Sequence, residues 1–197
     1  MLDWLKNKKY PEFWKAYLQQ NEQESSRYVT LKIQTTGLNL QKDVILTLGA
    51  LGIEDNKIVI NDSFEVVLLQ YVYNHDHGLS NEFIVEAKTD KYPEAQGIEK
   101  LILFLSNAKI IGYRTDFEVE MINRALSKME CGKLKNEVLD LEVMFKKWKE
   151  SIEARTISIP EIASALKIPP HENDMPLGEV YTMALCFLKL KKYLGLD

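Results

Sequence analysis

Three β-rich segments crowd one part of this chain, Arg27–Gln34, Val44–Ile53 and Lys57–Gln70, joined by stretches as short as Glu54–Asn56. Connections that short make neighbouring strands antiparallel, because a parallel crossover needs about a dozen residues or more. From Glu94 the pattern changes. Apolar spacing predicts a helix over 94–107, a short buried strand over 108–113 and a helix over 117–129. "EVLDLE" reads as another strand, followed by helix from about Val143 to Glu150. Ser158 and Glu161 have the spacing of a capping box opening a short helix, and the last helix is predicted from about Gly178 to Tyr193. Residues 71–93 show no period and are expected to form a long, partly irregular crossover. The order implies an α/β domain with a central five-stranded mixed sheet, three antiparallel strands followed by βα units, and helices on both faces.

Residues 1–26 read as an N-terminal helical extension with a polar linker, and 27–197 as the domain proper. Pro11 suits the first turn of a helix, and Phe13, Trp14 and Tyr17 follow at helical spacing, with Trp4 before them. An aromatic stripe of this kind either docks on its own domain or anchors a protein partner, which makes residues 1–20 a candidate interaction surface. No run of about 20 apolar residues spans a membrane. The start also lacks the apolar region of a signal peptide, so a cytoplasmic protein is expected. Cys131 and Cys186 are too few and too unpatterned for a disulfide framework or a zinc site. A net charge of −4 argues against a protein whose main work is gripping nucleic-acid backbone, while leaving room for a local basic groove flanked by Lys109 and Arg114.

The segment Tyr28–Leu38, "YVTLKIQTTGL", is the anomaly. Residues two apart in a strand share a face, so Lys32 and Gln34 point together from a strand that otherwise reads as core. Two later segments give that pair a context. Ile111-Gly112-Tyr113-Arg114-Thr115-Asp116-Phe117-Glu118 follows a predicted strand, and Asp174-Met-Pro-Leu-Gly178-Glu179 precedes the last helix.

Together these three segments resemble the motifs of the DnaQ-like 3′–5′ exonucleases of the ribonuclease H-like fold, a family that includes the DNA polymerase III epsilon subunit and ribonuclease T. In that family the first strand ends in Asp-x-Glu-Thr-Thr-Gly-Leu, the second motif is Gly-His-Asn-x-x-Phe-Asp, and the third places an Asp five residues after a His. The resemblance covers about residues 27–194 and implies the ribonuclease H-like fold. It also implies two divalent metals, Mg²⁺ or Mn²⁺, held by four carboxylates, with a histidine as general base. Two metals about 3.5–4 Å apart stabilise the attacking and leaving oxygens of a displacement at phosphorus, and such hard cations need anionic oxygen ligands.

Here every one of those positions differs. Lys32 and Gln34 stand for the first Asp and Glu, Glu118 and Glu179 for the other two Asp, and Asp174 for the His. Four carboxylates become Glu118, Glu179 and a lysine, a formal charge of −1, or −2 with Asp174. The resemblance with these replacements therefore implies a pseudo-exonuclease without a metal cofactor. One account of the replacements is drift. Another is that the Lys32 ammonium lies among the carboxylates and substitutes for the metals, because buried carboxylates need a cation or a proton. Such a protein retains a role in binding nucleotides or single-stranded nucleic acid, or in protein interaction. The alternatives are weak metal-dependent hydrolysis of DNA or RNA ends through Glu118, Glu179 and Asp174, and a scaffold acting through the N-terminal helix.

Thr35, Thr36, Gly37, Leu38 and Phe117 match family positions that contact nucleotide. Read locally, the first four are a strand-ending turn that needs glycine for its backbone angles, and Phe117 is a core residue spaced with Met121. His75, Asp76 and His77 invite a metal reading, although such loop residues are more often solvated. His171 reads as a loop cap, and Lys146, Lys147 and Lys149 as a solvated helix face.

Overall fold

The structure is a computed structural model and describes residues 10–69, 89–152, 154–169 and 176–196. Helix α1 (Glu12–Gln20) precedes strands β1 (Tyr28–Thr35), β2 (Ile45–Glu54), β3 (Lys57–Leu69) and β4 (Asp90–Pro93). Then come α2 (Glu94–Leu105), β5 (Lys109–Gly112), α3 (Thr115–Lys128), β6 (Val138–Asp140), α4 (Leu141–Trp148), α5 (Ile159–Ala165) and α6 (Pro176–Tyr193).

The strands form one mixed sheet in the order β4-β3-β2-β1-β5-β6. β1 is antiparallel to β2 and parallel to β5, β2 is antiparallel to β3, and the edge strands β4 and β6 run parallel to their neighbours. The sheet thus has six strands where five are expected. The extra one lies inside the stretch read as an irregular crossover. β4 is four residues long and sits at the sheet edge, so it offers no alternation to detect, and an edge tolerates its terminal Pro93. His75, Asp76, His77, His171 and Asp174 lie outside the described residues.

Alternation along β1 divides the molecule into two cores. Val29, Leu31 and Ile33 point to one face, where α1, α2 and α3 bury Trp14, Tyr17, Ile98, Leu101 and Ile122. On the other face Leu51, Ile53 and Ile111 meet Phe145, Ile162, Val180, Met183 and Phe187 from α4, α5 and α6. The aromatic stripe of α1 docks on its own domain. The Trp14 and Tyr17 rings pack against each other, tilted by 31° with their centroids 4.7 Å apart. The Tyr17 hydroxyl donates to Asn136 Oδ1 at 2.6 Å and accepts from the Lys135 amide at 2.7 Å. Trp14 and Tyr17 are therefore committed to the core and are not available to a partner.

Candidate functional site

β1 carries its second face, Thr30, Lys32 and Gln34, toward α6. Thr30 is fully buried, and its hydroxyl donates to the carbonyl of Val180 at 3.1 Å, holding the helix against the strand. Gln34 lies opposite Thr47 on β2 and accepts from its hydroxyl at 2.8 Å. Lys32 lies opposite Gly49, which in turn lies opposite Glu65 on β3. Glu65 Oε1 accepts from the Leu177 amide at 2.9 Å, so a side chain two strands away satisfies one of the orphan donors in the first turn of α6. That turn also contains Glu179, where a carboxylate is favoured by the positive end of the helix dipole.

The third participant comes from the β5–α3 corner. Gly112 ends β5 because Thr115 packs where a side chain would go: a Cβ on Gly112 would lie 1.8 Å from Thr115 Cγ2. Arg114 takes the left-handed conformation (φ 52°, ψ 46°) to turn the chain into α3, a strained choice for a residue with a side chain. The Thr115 amide and hydroxyl donate to Asp140 Oδ2 at 3.3 and 3.4 Å. Asp140 Oδ1 in turn accepts from the amides of Glu142 and Val143 and caps α4. With the corner fixed, Glu118 in the first turn of α3 is buried beside Lys32.

The structure brings three of the predicted site residues together. Lys32 Nζ lies 3.1 Å from Glu118 Oε1 and 3.5 Å from Glu179 Oε1. The side chains of Lys32, Glu118 and Glu179 are 22%, 5% and 37% exposed. Burial is the largest influence on both members of the inner pair, with opposite outcomes. For Lys32 it lowers the pKa, but the combined attraction and hydrogen bonds of Glu118 and Glu179 outweigh it and hold the ammonium above its ordinary value. For Glu118 burial wins: despite the charge and hydrogen bond of Lys32 and a bond from the Ile33 amide, its carboxyl is pushed up to about 7, with Glu179 adding to the rise. Glu118 Oε2 is buried and accepts no hydrogen bond.

These residues do not fit the two-metal centre that the motifs imply. An ammonium stands within 3.5 Å of both carboxylates, in the space a metal needs. Among the described residues no group of three or more His, Cys, Asp or Glu is placed to hold a metal ion.

The turn after β1 is satisfied from within. Thr35 Oγ1 donates to the Gly37 carbonyl at 2.7 Å, and Thr36 Oγ1 to Asp43 Oδ1 at 2.7 Å while accepting from the Val44 amide. Gly37 does not have the positive φ expected of it. It is required for space, since a Cβ there would meet Asp43 Oδ2 at 2.7 Å. Leu38 remains 83% exposed, and Phe117 packs partly on the core. Both line a cleft of about 710 Å³ together with Lys32, Tyr113, Arg114, Asp116, Glu118, Asp140, Glu142 and Val143. Sequence reasoning missed Glu65 and Asp140. The Asp before a predicted helix was a readable cap signal, whereas the Glu65 bond spans 112 residues and leaves no local trace.

No protein-family model matches the chain. A DNA polymerase III of PolC type from Thermotoga petrophila is 22% identical over 173 residues, which cover 84% of this chain and 12% of the polymerase. Among solved structures, exonuclease I in its SSB-Ct complex aligns with a TM-score of 0.65, and E. coli exonuclease I with a dT13 oligonucleotide with 0.66. Each is 14% identical, and each alignment covers 87% of this chain and 42% of the other. The chain thus spans less than half of these relatives. No described helix is long and apolar enough to cross a membrane. The chain therefore has a ribonuclease H-like fold of the DnaQ-like exonuclease type.

Proposed function

We propose that this protein is a catalytically inactive relative of the 3′–5′ exonucleases, in which an internal ammonium replaces the metal pair and the former catalytic cleft serves for binding. The observation that carries this reading is the position of Lys32, 3.1 and 3.5 Å from Glu118 and Glu179. A divalent ion close to that ammonium would be repelled by several kcal/mol even at an effective dielectric near 20. Gln34, a neutral side chain engaged with Thr47, contributes no negative charge in compensation.

The fold alone supports nucleic acid as a ligand, since exonuclease I has been solved with an oligonucleotide. The cleft retains Leu38 and Phe117 in the positions that the family resemblance assigns to nucleotide contact. With Trp14 and Tyr17 buried in the core, a scaffold built on the α1 aromatic face is the weaker reading.

The deciding experiment incubates the purified protein with single-stranded DNA and RNA oligonucleotides in Mg²⁺ or Mn²⁺, beside a Lys32→Asp, Gln34→Glu double variant. The wild type is expected to release no nucleotides above the metal-free control. Metal-dependent release that disappears in Glu118→Ala would overturn the reading and favour hydrolysis through the remaining carboxylates.

A further inference from the structure

The turn between β1 and β2 carries Leu38 to the rim of the cleft, where its side chain is 83% exposed. We propose that Arg124, on the same helix as Phe117, is a positioning residue for this cleft: it clamps the turn and so holds Leu38 in place to pack on a bound single strand of nucleic acid. The inference rests on the proposed binding role of the cleft.

The hydrogen bonds of the turn divide between inside and outside partners. Amides are met from within: that of Asn39 donates to Asp43 Oδ2 at 2.7 Å, that of Gln41 to Asn39 Oδ1 at 2.9 Å, and that of Asp43 to the Asn39 carbonyl at 2.9 Å. Three carbonyls are met from α3. The Arg124 guanidinium donates to those of Leu40, Gln41 and Asp43, the last two at 2.9 and 3.0 Å. A planar guanidinium presents its donors in a fixed fork that can span several acceptors at once, whereas a lysine ammonium is a point charge on a flexible stem. Residues seven apart on a helix lie within about 20° of each other around its axis, so Phe117 and Arg124 share one face of α3. That face supplies Phe117 to the cleft and Arg124 to the turn that carries Leu38. Both apolar contacts are thereby tied to one rigid element. A turn held in advance loses little further entropy when a ligand packs on Leu38. Among the described residues Arg124 lies outside the lining of the cleft, so its effect reaches a ligand through Leu38.

The test is fluorescence anisotropy of labelled single-stranded DNA and RNA oligonucleotides with the full chain in EDTA, comparing the wild type, Arg124→Lys, Leu38→Ala and the double variant. Leu38→Ala is expected to weaken binding by about tenfold, and Arg124→Lys by about three- to tenfold. Because Arg124 acts through Leu38, the double variant is expected to bind no more weakly than Leu38→Ala alone, the non-additivity of coupled residues. Hydrogen exchange supplies a readout without ligand. In Arg124→Lys the amides of Asn39, Gln41, Lys42 and Asp43 are expected to exchange about tenfold faster, while those of β1 and α3 keep their rates. Three results overturn the inference: Arg124→Lys binding as tightly as the wild type, losses that multiply in the double variant as a purely structural contribution would give, or exchange that accelerates equally through β1 and α3. Each of these leaves the proposed function standing. Absence of oligonucleotide binding by the wild type would defeat the binding role of the cleft and this inference with it.

Discussion

Replacing Glu118 by glutamine measures what its burial beside Lys32 costs. The Glu118 carboxyl is displaced from an ordinary value of 4.5 to about 7, with burial the largest cause, opposed by Lys32 and reinforced by Glu179. An acid raised on folding binds its proton more tightly in the folded state. Its stabilising contribution is therefore complete below about pH 4.5 and is lost as pH rises toward 7. At about 1.4 kcal/mol per pH unit, the loss amounts to about 3 kcal/mol. Glutamine keeps the length of the side chain and does not titrate. Urea denaturation of both proteins across a pH series reads the difference, and other carboxylates such as Glu142 and Glu161 drop out because both proteins share them. The wild type is expected to lose about 3 kcal/mol relative to Glu118→Gln between about pH 4.5 and 7.5. A difference independent of pH would refute the assignment. A wild type that gains stability relative to the variant as pH rises would show that the Lys32 ion pair outweighs burial, reversing the energetic argument.

Two further substitutions examine the scaffold. Trp14→Ala is expected to cost about 3–5 kcal/mol in chemical denaturation, because the ring is fully buried in the core that α1 shares with the sheet; Trp14→Phe is expected to cost much less, since the indole Nε1 is buried without an acceptor. Gly112→Ala is expected to cost about 1–3 kcal/mol by driving Thr115 off Asp140, and adding Thr115→Ser, which removes the clashing methyl, is expected to recover part of it.

The sequence by itself determined the β1–β3 meander, because short connections permit only antiparallel neighbours and the alternation of Val29, Leu31 and Ile33 sets which face is core. It also made the Lys32–Gln34 anomaly visible, and the capping box at Ser158–Glu161 was legible because both halves lie within four residues. What lay outside its reach depends on contacts between distant segments. β4 exists as a strand only because the end of β3 offers it a ladder, and α1 belongs to the core through distant contacts, the burial of Trp14 and the bonds of Tyr17 to Lys135 and Asn136. The same is true of the site. Lys32, Glu118 and Glu179 are separated by at least 61 residues from one another, and their meeting was inferred from motif resemblance rather than from any local pattern. Only the tertiary structure decides that Glu65 holds the first turn of α6 in place. It alone decides that one oxygen of Glu118 is paired and the other is not, since burial and hydrogen-bond satisfaction are properties of the assembled fold.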